Sequence, residues 1–373
     1  MWQVYLMMLP FGVGIAFYFR AFFRRGAKSF GIDTTKKVMK IAAWCFGAVV
    51  GVLSLNMFSF TTIAILHLLA LDALFRLVNY IVKKSFRKRY TEGMVIWKKA
   101  YGSGIIPVMI CLSLFIFGYY NIHNVVRTDY TVYTNKEIGD GYRVVMIADI
   151  HYGVSIDASE LRAKCDEISK LNADIIVLGG DIVDNDTGKD QMLEVFDILG
   201  SIESKYGVFY VYGNHDRLYG QRGAFTAEEL RLEIESNGIK ILQDDVVDID
   251  GNLTLVGRED RGYVGEGNRK SIDTLLADVE KERFILTVDH QPNEYKENGK
   301  AGTDLLLSGH THGGQFWPLN IVFEIFGIND AVYGKVQIDS DSVAIVTSGV
   351  AGWSFPVKTA SPAEYVVIDV KQC

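Results

Sequence analysis

Cysteine is scarce in this chain, with four residues among 373. Cys45 and Cys111 lie in apolar stretches, Cys373 is the last residue, and Cys165 shares a predicted helical face with Leu161. This arrangement matches neither a disulfide framework nor a thiolate zinc site, so the sequence argues against both. Packing in a hydrophobic core is the predicted role of Cys165.

Acidic residues are rare in the first third of the chain. Residues 1–122 contain 15 Lys and Arg but three acids, Asp33, Asp72 and Glu92, whereas residues 123–373 contain 42 acids against 23 Lys and Arg. The overall net charge of −7 hides this division. Because nucleic-acid backbones need compensating cations, the acidic second part is a poor candidate for nucleic-acid binding.

Long apolar runs occur in the basic first part. Four of them, near residues 2–19, 41–58, 61–82 and 105–122, have the length of a membrane span. The first run lacks the basic N-terminal region of a cleaved signal peptide, and three further runs follow it. The sequence therefore predicts an all-α transmembrane domain of four helices over residues 1–122, in contact with a lipid bilayer.

The basic residues between these runs predict the orientation. Seven Lys and Arg lie between the first and second runs and seven between the third and fourth, whereas the link between the second and third carries no charge. The positive-inside rule places both basic loops in the cytoplasm and the N-terminus outside. An even number of spans then makes the rest of the chain extracytoplasmic, so we expect a multi-pass protein of the cell membrane.

The third run contains three ionisable residues, His67, Asp72 and Arg76. Asp72 and Arg76 are four residues apart and can pair on one helix face, which lowers the cost of both charges in lipid. His67 lies on another part of the helix surface. We interpret Asp72 and Arg76 as a structural ion pair.

Strand and helix patterns alternate in the second part. The stretch YRVVMIADI predicts a buried strand, and DASELRAKCDEISKLN predicts an amphipathic helix that begins at a capping Asp157. Later segments, such as FILTVDH and SVAIVTSG, are rich in β-formers. We expect an α/β domain, an α+β layered sandwich of two mixed sheets flanked by helices, over residues 141–373, joined by a linker at 123–140.

Polar residues follow the predicted strands at the points where the strands end. They are Asp149, His151, Asp181, Asn214, His215, His290, His310 and His312. Side chains at the carboxyl ends of strands converge on one edge of a sheet, and five of the seven histidines belong to this set. His310 and His312, as alternate residues at a strand tip, would point to the same side. The pattern predicts a metal site.

The motifs D-x-H, G-G-D-x-x-D, G-N-H-D, a lone later histidine and G-H-T-H, in this order, resemble the calcineurin-like metallophosphoesterases. The resemblance covers residues 141–370, and LSGHTHGGQFWP is similar to the membrane-associated branch that contains UDP-diacylglucosamine pyrophosphatases. It implies two divalent metal ions. The implied ligands of one ion are Asp149, His151, Asp181 and His312. The implied ligands of the other are Asp181, Asn214, His290 and His310, so that Asp181 bridges, and His215 lies near the scissile phosphate as the catalytic residue.

Imidazole, carboxylate and amide ligands without thiolate suit Mn, Fe or Zn. Two such ions supply the positive charge that an anionic phosphate ester needs during hydrolysis. Asp184 and Asp216 are expected to orient the ligands through hydrogen bonds, although either could instead cap a loop.

The apolar segment FWPLNIVFEIFGI, residues 316–328, has two interpretations. It is too short to span a bilayer and too apolar for an ordinary surface loop. It is either buried core beneath the site or a lip that faces the membrane, with Phe316, Trp317 and Phe323 at the interface.

Two functional hypotheses follow. The first is a membrane-anchored enzyme that hydrolyses a phosphodiester, pyrophosphate or phosphomonoester outside the cytoplasm, on a lipid-linked or cell-envelope substrate. The second is a non-catalytic receptor or scaffold that retains the metal-bound fold. The intact set of ligand positions and His215 favours the enzyme.

Overall fold

The chain divides into two compact units, residues 1–116 and 117–373. The computed structural model describes residues 2–56, 59–217, 224–262 and 269–373. We call the first the helical unit and the second the sheet unit.

The helical unit consists of helices that cover all four apolar runs, and the last of them continues into the sheet unit. In chain order they are α1 (Trp2–Ser29), α2 (Lys37–Leu53), α3 (Phe60–Ser85), α4 (Arg87–Glu92), α5 (Val95–Ser103) and α6 (Ile105–Ile122).

Two of the described helices, α3 and α6, are long and apolar enough to cross a membrane. α2 has 17 residues, which is at the short limit for a span. α1 contains Arg20, Arg24, Arg25 and Lys28 in its second half. The structure therefore supports two of the four predicted spans by length and composition, and the four-span domain is not confirmed.

The predicted pair of Asp72 and Arg76 is present in α3. Asp72 is fully buried, and its Oδ2 lies 2.9 Å from Nε of Arg76. α1 contributes two further partners that the sequence did not indicate, the Arg25 guanidinium and the Tyr18 hydroxyl, which donates to Oδ2 at 2.7 Å. His67 lies apart, with its Nδ1 2.8 Å from the carbonyl oxygen of Ile63.

The sheet unit begins with residues 117–122 of α6 and alternates strands with helices. In chain order its elements are β1 (Val126–Thr134), β2 (Tyr142–Ile147), α7 (Ala158–Ser169), β3 (Ile175–Leu178), α8 (Lys189–Gly200), β4 (Val208–Tyr210), α9 (Ala227–Ser236), β5 (Lys240–Ile241), β6 (Asp245–Asp248), β7 (Leu253–Gly257), α10 (Ile272–Leu275), β8 (Phe284–Val288), α11 (Tyr295–Ala301), β9 (Leu305–Ser308), α12 (Leu319–Phe326), β10 (Gly334–Gln337), β11 (Val343–Val346) and β12 (Glu364–Gln372).

These strands form two mixed six-stranded sheets, as the sequence predicted. The first has the order β1-β12-β2-β3-β4-β5, and the second has the order β10-β11-β9-β8-β7-β6. Apolar residues of both sheets, such as Met146, Phe209, Leu286 and Leu307, form one buried core between them. The other face of the first sheet packs on α7, α8 and α9.

The sequence predicted a linker at 123–140, whereas the structure has a strand within this range. Its residues 126–134 form β1, which pairs with β12 in parallel along its whole length, from Val126 with Glu364 to Thr134 with Gln372. A β-strand satisfies its backbone N–H and C=O groups only through a partner strand. That partner lies more than 200 residues away, so the local pattern could not reveal it.

α7 begins as predicted. The Asp157 carboxylate accepts from the backbone N–H of Glu160 at 2.9 Å, and the Glu160 side chain accepts from the Asp157 N–H at 3.2 Å. This capping box satisfies two otherwise unpaired donors. Cys165 is buried beside Leu161 in the core, and burial raises the pKa of its thiol to about 12.

Candidate metal centre

The polar residues predicted to form the site lie together at the carboxyl ends of strands from both sheets. β2, β3 and β4 of the first sheet lead to Asp149 and His151, to Asp181, and to Asn214 and His215. β8 and β9 of the second sheet lead to His290 and to His310 and His312. The site therefore forms where the edges of two stacked sheets meet.

Asp149, His151 and His312 form the first ligand group. Their candidate ligand atoms lie within 4.8 Å of one another, and all three residues are buried. The Nε2 atoms of His151 and His312 are 3.3 Å apart, and Nε2 of His312 is 3.7 Å from Oδ1 of Asp149. Two imidazoles and a carboxylate that converge in this way fit one cation.

Asp181, His290 and His310 form the second group, also within 4.8 Å. Oδ2 of Asp181 lies 3.1 Å from Nε2 of His290 and 3.8 Å from Nε2 of His151, so this carboxylate lies between the two groups. Asn214 adds an oxygen: its Oδ1 is buried and has no hydrogen-bond partner among the described residues. A buried acceptor of this kind is costly unless a donor or cation reaches it.

Ionisation differs among the candidate ligand histidines: although burial lowers it, the Asp181 carboxylate raises the pKa of His290 well above its usual range. Burial lowers the pKa of His310 to about 4 and holds the pKa of His312 well below its usual range. Burial also raises the pKa of the Asp149 carboxyl. Neutral imidazole is the form that coordinates metals. The site is thus a buried cluster of carboxylates and imidazoles in which a divalent cation could take the place of the His290 proton beside Asp181.

The backbone at the ligands is strained. Five of the predicted ligands have a left-handed φ: Asp149 (53°), His151 (40°), Asp181 (52°), His310 (70°) and His312 (51°). Each such conformation costs about 1–3 kcal/mol in a non-glycine residue and is typical of functional sites. The surrounding fold therefore stabilises a geometry that a free chain avoids.

The left-handed backbone corrects the expected arrangement of His310 and His312. β9 ends at Ser308, so the two histidines are not alternate residues of a strand. They lie in the turn beyond it, and His312 begins a short 3₁₀ turn that ends at Gly314. This turn directs His312 to the first group and His310 to the second.

Two glycines allow the loops to approach the carboxylates closely. A Cβ at Gly213 would lie 2.2 Å from Oδ1 of Asp181, and a Cβ at Gly309 would lie 2.4 Å from Oδ2 of Asp149. Any side chain at either position would displace a predicted ligand.

Asp216 orients two ligand loops through the backbone. Its carboxylate is fully buried and accepts from N–H groups of Asp181 (2.6 Å), Ile182 (2.9 Å), Val183 (3.1 Å) and Gly213 (2.8 Å). The loops after β3 and β4 are thereby held to each other. The arrangement agrees with an orienting role for Asp216.

Asp184 links the first group to His215. Its Oδ2 lies 3.2 Å from Nδ1 of His151, and its Oδ1 lies 2.9 Å from Nδ1 of His215. Although burial alone would raise it, these two histidines hold the pKa of Asp184 well below its usual range. Burial alone would lower the pKa of His215, but the Asp184 carboxylate outweighs it and raises that pKa. Because Asp184 already bonds two imidazoles, we interpret this trio as a hydrogen-bonded network.

In two of the candidate ligands, a backbone carbonyl oxygen lies close to Nδ1 of the imidazole ring. Nδ1 of His290 is 2.8 Å from the oxygen of Gly179, and Nδ1 of His312 is 3.4 Å from the oxygen of Ala351. A carbonyl partner at Nδ1 fixes the tautomer that leaves Nε2 free to bind a cation.

Lys358 supports the site and was not found by sequence reasoning. It is fully buried, and its Nζ donates to the carbonyl oxygens of Ser348, of Gly349 at 3.2 Å and of Ala351 at 3.3 Å. Burial lowers its pKa to about 7, against the opposing effect of Asp149. It fixes the loop that contacts His312. A lysine outside every motif gives no signal of this kind in a single sequence.

A cavity of about 220 Å³ is lined in part by two partners of His215, Asp184 and Trp353. Its lining includes Tyr152, Asp184, Thr187 and Trp353. The ring of Trp353 lies 5.8 Å from that of His215. The cavity provides room for a ligand next to the histidine that belongs to neither ligand group, and Trp353 is a second contact that no motif indicated.

Segment 316–328 is for the most part not core. Phe316 is buried and faces Phe355 at 6.5 Å between ring centroids, whereas Trp317 and Phe323 are half-buried. None of the eight residues of α12, all within the described chain, is buried. Phe316 therefore packs in the core, no residue of α12 is fully buried, and the lip stays a prediction.

Comparison with known proteins agrees with this geometry. The family model for calcineurin-like phosphoesterases matches residues 142–314. An uncharacterised metallophosphoesterase of Campylobacter jejuni is 26% identical over 267 residues, which cover 70% of this chain and 68% of that protein. A transmembrane protein with a metallophosphoesterase domain from Danio rerio is 27% identical over 335 residues, 85% of this chain and 74% of that protein. An uncharacterised metallophosphoesterase of Aquifex aeolicus is 27% identical over 65% of this chain and 90% of its own length.

The matched region contains β2, β3, β4, β8 and β9, whose carboxyl ends carry the two ligand groups. The order of the ligands along the chain, the two mixed sheets and the family match are mutually consistent. Residues 142–314 of this chain therefore match the calcineurin-like phosphoesterase family, which agrees with a metal-dependent phosphoric ester hydrolase.

Proposed function

We propose that the chain is a membrane-anchored enzyme that hydrolyses phosphate esters with two divalent metal ions. The observation that carries the proposal is the Asp181 carboxylate, which lies near His151 of the first group on one side and is grouped with His290 and His310 on the other. A carboxylate in this position can serve two ions at once.

The ligands of one ion would be Asp149, His151, Asp181 and His312, and those of the other Asp181, Asn214, His290 and His310. When bound, the ions supply Lewis acidity and the positive charge that an anionic ester needs for attack by water. The thiolate-free ligand set favours Mn, Fe or Zn.

His215 is the proposed general acid. It is partly exposed, faces the cavity region through Trp353 and has a carboxylate partner in Asp184 at 2.9 Å. The carboxylate stabilises the protonated imidazolium and raises its pKa, so the ring can hold a proton until the ester oxygen departs and then donate it. Asp184 acts through His215 as a positioning residue.

The proposed substrate is a phosphodiester, a pyrophosphate or a phosphomonoester, lipid-linked or from the cell envelope. Four spans with both basic loops in the cytoplasm would place the N-terminus and the sheet unit outside it. A reporter fused after Cys373 should then be extracytoplasmic. Protection of the sheet unit from external protease until the cells are lysed would contradict this orientation.

The enzyme hypothesis is tested with full-length protein in detergent and bis-p-nitrophenyl phosphate, with Mn, Fe, Zn or Mg added in turn. We expect metal-dependent turnover that His310→Asn removes and that excess metal partly restores. His123→Asn is the matched control, because His123 is exposed and outside both ligand groups. No turnover with any of the four metals would favour the alternative, a non-catalytic receptor or scaffold.

A further inference from the structure

The sheet unit has an exposed apolar patch outside the metal centre. It consists of Ile321 (44% exposed), Ile325 (73%), Phe326 (75%) and Ile328 (56%), and we call it the α12 patch. Ile321 and Ile325 are four residues apart and share one face of the helix. Contiguous exposed apolar side chains, unlike single ones, mark an interaction surface.

The composition of α12 indicates which kind of partner can cover the α12 patch. The helix has one charged residue, Glu324, and no basic residue. Eight residues extend about 12 Å at ~1.5 Å per residue, which is too short to cross a bilayer. An exposed apolar helix face that is too short to span can be buried in the plane of a membrane interface, where binding scales with the apolar area buried.

The position of the helix connects it with α6. The backbone N–H of Lys358 donates to the oxygen of Gly118 at 3.0 Å, and the Asn121 side chain donates to the oxygen of Lys358 at 2.9 Å. The hydroxyl of the next residue, Thr359, accepts from the backbone N–H of Trp317 at 2.9 Å. Residues 358–359 therefore contact both the carboxyl end of α6 and Trp317, which lies two positions before α12.

We propose that the α12 patch inserts into the interfacial layer of the bilayer that α6 crosses. α6 is apolar and long enough to be a span, so its carboxyl end marks the depth at which the chain leaves the lipid. Trp317 precedes α12, and tryptophan is enriched at this depth. Because α12 lacks basic residues, burial of apolar side chains, rather than attraction to anionic lipids, drives the insertion.

The insertion has a consequence for the substrate, and this step rests on the proposed function. His312 of the first ligand group is seven residues before the first residue of α12. A helix anchored in the interface would therefore hold the metal centre near the lipid headgroups. The substrate class that fits is a phosphate ester in the headgroup of a lipid.

The insertion is tested by fluorescence quenching in full-length protein with its exposed cysteines removed by Cys45→Ser and Cys373→Ser. An environment-sensitive dye is attached at Ile325→Cys, and the protein is reconstituted in phosphatidylcholine vesicles whose acyl chains carry nitroxide quenchers. Leu232→Cys is the matched control, since Leu232 is 51% exposed on α9 of the same unit. We expect strong quenching at position 325 and little at 232.

Equal quenching at the two positions would overturn the proposal. So would a disulfide between two Ile325→Cys chains that an added thiol oxidant forms in the reconstituted vesicles themselves, because a second copy would then cover the patch. The dye measurement needs no turnover, so it decides the insertion even if the protein is not an enzyme.

The substrate step is tested with phosphatidic acid and phosphatidylglycerol in phosphatidylcholine vesicles, beside bis-p-nitrophenyl phosphate in solution. The double variant Ile325→Ser, Phe326→Ser should lose roughly tenfold more activity on the lipid than on the soluble diester, because two apolar side chains no longer enter the interface. Equal losses, or turnover of the soluble diester with neither lipid, would overturn the lipid substrate.

Discussion

Two buried carboxylates, one in each unit, have opposite surroundings. Asp72 of the helical unit has two guanidinium partners, Arg25 and Arg76, and a hydroxyl donor. Asp181 of the sheet unit has two imidazole ion-pair partners among the described residues, His290 at 3.1 Å and His151 at 3.8 Å. The guanidinium partners of Asp72 do not bind metals, whereas both imidazole partners of Asp181 are candidate metal ligands.

The difference shows which buried charge indicates function. Asp72 and Asp181 are equally hidden from solvent, at 0% and 1% exposure. Burial therefore does not distinguish them, whereas the balance of donors and acceptors does. Strained backbone adds to the contrast: Asp181 has a φ of 52°, and Asp72 lies within a regular helix. A buried carboxylate on strained backbone whose partners are imidazoles marks a candidate metal site.

Metal removal should have the largest effect, and it should lower the stability of the sheet unit rather than that of the helical unit. Treatment with a chelator is expected to reduce hydrolysis of bis-p-nitrophenyl phosphate to the rate of the buffer. It should also destabilise the sheet unit, since an ion at roughly 100-fold excess over its Kd contributes about 2.7 kcal/mol. Calorimetry in detergent measures the loss of stability. Metal added back, as the control, should restore the original transition temperature. An unchanged transition temperature would mean that the acceptor cluster is stable without cations.

His215→Asn should slow turnover by about 10²–10⁴-fold while both ions stay bound. The deficit is expected to increase with the basicity of the leaving group, because a stable anion such as p-nitrophenolate needs little protonation. Metal content by mass spectrometry and rates for a series of aryl and alkyl esters measure the two properties. Loss of metal, or the same deficit for every leaving group, would contradict the general-acid role of His215.

Asp184→Asn should reduce metal affinity or activity by roughly 10–100-fold, the usual effect of removing a partner behind a ligand. The variant weakens the bonds to both His151 and His215. The control is Asp197→Asn, which removes an exposed carboxylate 3.0 Å from Arg162 on the surface. A titration of activity with metal, compared between the two variants, gives the affinity. An Asp184 variant that behaves like the Asp197 control would contradict the orienting role.

Asp72→Asn should have the smallest effect on activity, within about twofold, although it costs the helical unit about 3–5 kcal/mol by leaving two guanidinium groups without their carboxylate. Hydrogen exchange should accelerate in α1 and α3 and stay constant in the sheet unit. Asp33→Asn, at an exposed loop position of the same unit, is the control. A loss of turnover comparable to that of His215→Asn would show that Asp72 belongs to the functional machinery.

Much of the site was predictable because metal ligands are few in kind and follow strands directly. Asp149, Asp181 and His290 each come within three residues of the end of a buried apolar strand, so periodicity alone places them at a sheet edge. The Asp72–Arg76 pair and the cap at Asp157 were predictable for a similar reason, since both depend on contacts within about one helical turn.

Contacts between distant segments were not predictable. Lys358 supports the metal centre from outside every motif, and Arg25 completes the charge of Asp72 from another helix. β1 was mistaken for a linker because its partner is β12. In each case the relevant neighbour is far along the chain, and a single sequence carries no distance information.

The sequence by itself determined the two-part division of the chain, the alternation of strands and helices, and the residue types available at the strand ends, because these depend on composition and short-range periodicity. The tertiary structure decided how His310 and His312 reach different ligand groups, since they separate through a left-handed turn that strand alternation does not contain. It also decided that α12 lies on the surface rather than in the core. Both outcomes depend on how two stacked sheets bring distant loops together, and no local pattern encodes that geometry.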